Sequence, residues 1–305
     1  MGDESQIENT LKSRDAESAF PPNLFIRVSG TRVRYWDIGT GSPPILLIHG
    51  IGTFCESWLM NVRGLSEHFR VIALDLPGHG NSEHMDLAYD AETYARFLDD
   101  FLQALDVDRI TLIGNSFGGT IVLQMAYSYP EKVSRLVLVA AAGFGREVSL
   151  GFRLIGLPVI GKLLLRSRTN EESRRRRSEA ILRSILHNPD DLDTDVRNRL
   201  LDKYTEIGGT PGTGRAVHEV LGKYTNLIGI RRRYMAESRE KLAAITAPSL
   251  IIWGEDDPIL PVAHARVGQS ALRNAKLHVL KQCGHLPQLE HGPRFNELVL
   301  DFLRA

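Results

Sequence analysis

The stretch Ile110–Thr120, ITLIGNSFGGT, decides how the rest of the chain is read. Ile110–Ile113 is a short apolar run of the kind found in strands buried on both faces. It runs into Gly114-Asn115-Ser116-Phe117-Gly118, and a segment with helical character, Gly119–Tyr129, follows. Strand, sharp turn and helix form the context in which G-x-S-x-G carries chemistry. A serine in so tight a turn has its hydroxyl thrust above the sheet edge. Gly114 and Gly118 leave room for backbone passing close by. The helix N-terminus aims its dipole and free N–H groups at negative charge developing there. The plainer reading makes Ser116 an ordinary helix N-cap. Placement after a buried strand, and partner residues further along, favour the first.

Working outward, other apolar runs bounded by Gly and Pro repeat the theme of Ile110–Ile113: Ile45–Ile48, Val71–Leu74, Leu136–Ala140, Leu250–Ile252 and Leu277–Leu280. Phe25–Val28 and Arg32–Ile38 read as a hairpin turned at Ser29-Gly30. Ala91–Leu105 carries Tyr94, Phe97, Leu98, Phe101, Leu102 and Leu105 at helical spacing, and Pro293–Leu303 is a closing helix. Alternating strand and helix predict an α/β fold, with a mostly parallel sheet and helices on both faces. The alternation stops between about Gly143 and Ile245, a helical, Arg-rich stretch without clear strands. The expected organisation is an exposed arm over 1–22, a core of 23–142 and 246–305, and a helical cap over 143–245.

The 305 residues are 43% hydrophobic and 24% charged, which allows a well-buried core, and the formal net charge is zero. That zero is composite. Positions 143–245 hold 20 Lys/Arg and 13 Asp/Glu, a net of +7, which the remainder balances with −7. The balance argues against a nucleic-acid partner. No run approaches the length of a membrane span, so no stable membrane insertion is expected. The polar first twenty residues lack the pattern of a secretory signal, which makes the cytoplasm the expected location. Cys55 and Cys283, far apart, suggest free thiols packed as small apolar groups rather than a disulfide or metal cluster.

Five pieces, in order, resemble the α/β-hydrolase family from about Phe25 to Ala305: HGIG at His49–Gly52, DLPGHGNS at Asp75–Ser82, GNSFGG at Gly114–Gly119, WGEDDPILP at Trp253–Pro261 and CGHLPQLE at Cys283–Glu290. The resemblance implies that fold, and it implies serine hydrolase chemistry with Ser116 as nucleophile, Asp257 as acid and His285 as general base. The family spacing W-G-x-x-D-x-x-x-P selects Asp257 over the adjacent Asp256, which then reads as a turn residue. His285 lies on a loop just past the last strand, within reach of a nucleophile. His264, His278 and His291 lack such a context, and His49 and His79 resemble structural loop residues. The implied oxyanion hole is the pair of backbone N–H groups on Ile51 and Phe117. No metal or organic cofactor is implied.

A serine nucleophile suits acyl transfer, so the expected substrate is a small-molecule ester with an apolar acyl or aryl group, cleaved as by a carboxylesterase or lipase. The alternative is carbon–carbon cleavage: the GNS turn and the C-terminal CGHLPQLEH resemble the meta-cleavage-product hydrolases. Against it, Leu286 follows His285 where those enzymes carry Trp, Met60 replaces a polar Asn, and their cap arginine has no clean counterpart, although Arg197 and Arg199 lie nearby. A third reading, a ligand-binding protein without catalysis, is disfavoured by the complete triad. Oligomeric state is not legible. Within the cap, the apolar Leu150–Leu165 reads as a buried helix pair broken at Pro158, or else as an apolar roof over Ser116. Arg174–Arg177 reads as a solvated helix surface, the alternative being contact with an anionic group.

Overall fold

The computed structural model describes residues 20–166, 170–210 and 212–305, so most of the expected N-terminal arm lies outside the described residues. The strands are β1 Leu24–Val28, β2 Thr31–Ile38, β3 Ile45–Ile48, β4 Val71–Leu74, β5 Ile110–Asn115, β6 Val133–Val139, the two-residue strands β7 Thr225–Asn226 and β8 Gly229–Ile230, β9 Ser249–Gly254 and β10 Ala275–Leu280. All but β7 and β8 join one sheet, in the order β1-β2-β4-β3-β5-β6-β9-β10. β2 pairs antiparallel with β1 and with β4, and every other neighbour is parallel. Ser29 and Gly30 turn the first hairpin, both with positive φ, the geometry that twists two strands together.

Each central strand is buried on both sides. In β3, Leu46 and Ile48 face one apolar layer while Ile45 and Leu47 face the other, which is why such strands read as unbroken apolar runs. Both boundaries of β6 differ from the sequence reading. β6 begins at Val133, which pairs with Ile110 across a register shift. It ends before Ala140, whose positive φ turns the chain out of the strand.

The helices are α1 Val62–Ser66, α2 Ala91–Ala104, α3 Phe117–Ser128, α4 Leu150–Ile155, α5 Pro158–Leu164, α6 Glu171–Ile185, α7 Thr194–Gly208, α8 Gly214–Tyr224, α9 Arg232–Ala244, α10 Ala263–Ala271, α11 Pro287–Glu290 and α12 Gly292–Arg304. α2 and α3 cover one sheet face, α1 and α12 the other. Helices α4 to α9 lie between β6 and β9 and make the helical cap. Asn170 and Asp193 start α6 and α7 by accepting backbone N–H groups of the first turn, the side chains that N-caps favour.

The DLPGHGNS segment is architectural. Asp75 accepts the amides of Cys55 (2.7 Å) and Asn81 (2.8 Å). Fully buried Arg34 of β2 contacts Asp75 (3.3 Å) and Glu56 (2.8 Å). Removing one member would strand a buried charge, so this network holds the loops after β3 and β4 in place. Cys55 and Cys283 are both buried and free.

The expected buried helix pair at Leu150–Leu165 is corrected here. The break at Pro158 is present, but Leu150, Val159, Ile160, Leu163 and Leu164 are exposed. α4 and α5 form a single outer layer, and their inward side is carried by Phe152, Ile155, Gly161 and Leu165.

Candidate active site

Ser116 is the first residue beyond β5 and directly precedes α3, with φ 56° and ψ −117°. A non-glycine residue pays roughly 1–3 kcal/mol for such a conformation. The surroundings enforce it: a Cβ on Gly114 would stand 2.4 Å from the Gly118 carbonyl oxygen, and one on Gly118 2.4 Å from that of Ile48. Only glycine at both places lets α3 begin so close above β3 and β5. The His49–Gly52 loop passes so near that a Cβ on Gly50 would come within 3.1 Å of the Ser116 Cβ. This sets Ile51 beside Ser116 on the wall of the same cavity, while Phe117 opens α3.

His285 lies on the loop after β10 and is buried, with Nδ1 2.8 Å from Asp257 Oδ2. The other Asp257 oxygen accepts the amides of Ile259 (2.8 Å) and Leu260 (3.0 Å). A carboxylate fixed by these bonds favours a proton on His285 Nδ1, leaving Nε2 as the basic nitrogen. Asp256, one position earlier, is half-exposed and meets His187 of the cap (3.1 Å). Ser116 and His285 share one cavity wall. Two neighbouring histidines are buried in surroundings that disfavour the protonated ring. Burial, aided by His49, pushes His79 down to about 3. Burial also lowers His49, whose Nε2 accepts the Leu76 amide.

Two polar side chains that the sequence reading left without a role hold the His285 loop. Asn115 Nδ2 donates to the carbonyls of Val139 and His285, both at 3.2 Å, joining the end of β5 to the histidine loop. Glu290 accepts the amides of Gly284 (3.0 Å) and Leu286 (3.2 Å), which flank His285, and that of His187 (2.7 Å). Burial pushes its carboxyl up from the usual range, against these three bonds. The His285 amide itself donates to the Ile185 carbonyl, 2.8 Å away at the end of α6. The cap therefore grips the loop through residues 185–187. Only the position of Glu290 inside CGHLPQLE could have signalled its importance.

Ser116 stands where two chambers meet. The larger, about 1040 Å³, is roofed by α4 to α8 and combines Phe152, Ile155 and Tyr204 with Arg166, Arg174 and Arg215. The smaller, about 420 Å³, combines Leu123, Val148, Met235 and Leu242 with charged side chains that include Asp90, Lys223 and Lys241. The expected solvated run Arg174–Arg177 divides in two. Arg175 and Arg176 pair with Asp202 and Glu172, while Arg174 and Arg177, three residues apart on one helix face, are half-buried on the wall of the larger chamber. Arg197 pairs with Asp190 and Arg199 with Glu56, and neither belongs to the lining of either chamber among the described residues.

The sequence matches the family model for the alpha/beta hydrolase fold over residues 43–292. It is 33% identical over 302 residues to an uncharacterized protein of Mycobacterium tuberculosis, covering 97% of this chain and 85% of that one. It is 30% identical over 295 residues to a 2-hydroxy-6-oxononadienedioate/2-hydroxy-6-oxononatrienedioate hydrolase of Burkholderia vietnamiensis, covering 94% and 97% of the two chains. Among solved structures, the meta-cleavage product hydrolase of Pseudomonas fluorescens superposes with a TM-score of 0.74 at 24% identity, covering 92% of this chain and 97% of the other. With the five motifs in order and the sheet, the Ser116 turn and the cap in place, this chain belongs to the α/β-hydrolase fold family.

Proposed function

We propose that the protein is a serine hydrolase that cleaves carboxylic esters through an acyl-enzyme. The observation that carries this reading is the His285–Asp257 pair, closed at 2.8 Å and facing the same cavity as the strained Ser116 turn. In the reaction, Ser116 Oγ attacks the ester carbonyl while His285 Nε2 takes its proton. Asp257 holds the imidazole and stabilises the imidazolium without taking the proton. The carbonyl oxygen becomes an oxyanion facing the amides of Ile51 and Phe117, each such donor contributing about 3 kcal/mol. The C–O bond breaks and His285 returns the proton to the leaving alcohol. Water, deprotonated by the same histidine, then releases the acid and restores Ser116. An apolar acyl or aryl group suits the Phe152, Ile155 and Tyr204 side of the larger chamber, and a polar or anionic remainder suits its arginine side.

A second reading, hydrolysis of a carbon–carbon bond beside a ketone, is favoured by the name of the Burkholderia relative. Against it stand the engagements of Arg197 and Arg199 with Asp190 and Glu56, away from the lining. The discriminating experiment runs p-nitrophenyl esters of increasing acyl length beside a dienone carbon–carbon substrate. Dominant ester turnover supports the first reading and dominant dienone cleavage the second. Binding without turnover of either would reject both.

A further inference from the structure

We propose that the outer face of α4, α5 and the β7–β8 turn is a docking surface for an anionic lipid bilayer. In α5, Val159, Ile160, Leu163 and Leu164 all point to solvent, with Val159 at 79% and Leu163 at 70% exposure. Their spacing of one, three and one residues gathers them on one helical face. The opposite side of the helix is closed: a Cβ on Gly161 would stand 1.9 Å from the Ile155 carbonyl oxygen. The apolar side therefore faces outward, the reverse of a helix covering a core.

The face continues beyond α5. Leu150 of α4 is exposed, as are Leu227 and Ile228 in the turn between β7 and β8, Ile228 at 72%. Arg153 of α4 joins the two parts by donating to the Leu227 carbonyl at 3.2 Å. Single exposed apolar residues need no explanation, but seven on three neighbouring elements mark an interaction surface.

Charge selects the occupant. From Val148 to Asn170 the sequence has no Asp or Glu and four basic residues. Of these, Lys162 and Arg166 are exposed and also reach the lining of the larger chamber, so they border the apolar tips on the chamber side. Exposed apolar tips flanked by Lys and Arg are the pattern of an element lying in the plane of an anionic membrane interface. Two copies of this face meeting each other would instead oppose like charges. No described helix is long and apolar enough to cross a membrane, so the contact is peripheral. The reverse side of the same segment, through Phe152, Ile155 and Leu165, lines the larger chamber. Docking would thus hold the cavity roof against the lipid. This inference stands apart from which bond Ser116 attacks.

The test is co-sedimentation of the full-length protein with sucrose-loaded vesicles, either pure phosphatidylcholine or equal parts phosphatidylcholine and phosphatidylglycerol. The protein is expected to bind the anionic vesicles more tightly, and raising salt through the screening range should weaken the binding. Val159→Ser with Leu163→Ser should lower the partition coefficient by about tenfold, because two apolar tips no longer enter the interface. Leu227→Ser with Ile228→Ser, on a separate element, should reproduce the loss. Both pairs should keep the wild-type melting temperature and p-nitrophenyl acetate turnover. Absence of wild-type binding to either vesicle, or binding undiminished in both double variants, would overturn the proposal. So would a self-associated species in sedimentation equilibrium that both pairs dissolve, since the face would then be covered by a second copy.

Discussion

In β3, Ile45, Leu46, Leu47 and Ile48 are all withdrawn from solvent; in α5, Val159, Ile160, Leu163 and Leu164 all meet it. The two segments have similar composition and opposite surroundings. A sheet strand is fixed from both faces, so the loops at its end inherit a defined position. Ser116, Asp257 and His285 stand on such loops, where open α/β sheets place their sites. The outer cap helices α4 and α5 turn one side to solvent and the other to the cavity, so they shape a space without fixing reacting atoms. Under the proposed function, rate is expected to follow the sheet-end loops and substrate choice the α4–α5 side of the cap.

The largest expected effect tests the sheet side. Ser116→Ala should lower kcat by roughly five to six orders of magnitude, with residual turnover from the oxyanion hole and binding. Near wild-type ester turnover by the purified variant would remove Ser116 from the reaction. Next, Asp257→Asn should cost about ten-thousandfold through loss of the imidazole's orientation. Asp256→Asn, which loses only a half-exposed contact to His187, should stay within about fivefold. The reverse ranking would transfer the acid role.

A stability pair addresses the same contrast directly. Leu47→Ala should destabilise the fold by about 2–5 kcal/mol, whereas Leu163→Ala should change it by no more than about 0.5 kcal/mol. Urea unfolding decides; equal losses would mean that the outer cap is packed as tightly as the sheet. Smaller again, Glu290→Ala should lower kcat by about tenfold to a hundredfold through a displaced His285, with KM little changed. Glu290→Gln keeps one acceptor oxygen and should recover part of the rate. A rise in KM alone would give Glu290 a binding role instead. The smallest effect belongs to the roof. Ile155→Trp should reduce kcat/KM several-fold for long acyl chains, each excluded CH₂ forfeiting about 0.8 kcal/mol, and leave acetate unchanged. Superimposed length profiles would detach the acyl group from this part of the cap.

Most of the sheet was legible because strands buried on both faces cannot tolerate polar residues, so they stand out as apolar runs between Gly and Pro. The Ser116 turn was legible because it needs small residues at fixed places. Leu150–Leu165 was misread for a physical reason. Apolar composition says that a segment seeks cover, and it does not say whether the cover is its own core. Arg174–Arg177 shows a related limit, since four identical side chains on one helix meet different surroundings according to the face they occupy. The work of Asn115 and Glu290 was hidden because their partners are backbone groups brought near only by folding: residues 139 and 285 for the first, 187, 284 and 286 for the second.

The bond from the His285 amide to Ile185 has an evolutionary corollary. A cap joined to its core only by side chains could be exchanged between relatives like a detachable part. Here a main-chain carbonyl of the cap completes the loop that carries the histidine, and no change of side chain at residue 185 erases it. Lineages descending from such an architecture would diversify by altering the interior of an inherited cap, with the stretch around residues 185–187 kept as a fixed joint. Chimeras that cut the chain on either side of that joint should therefore lose turnover together, however well their sheets fold.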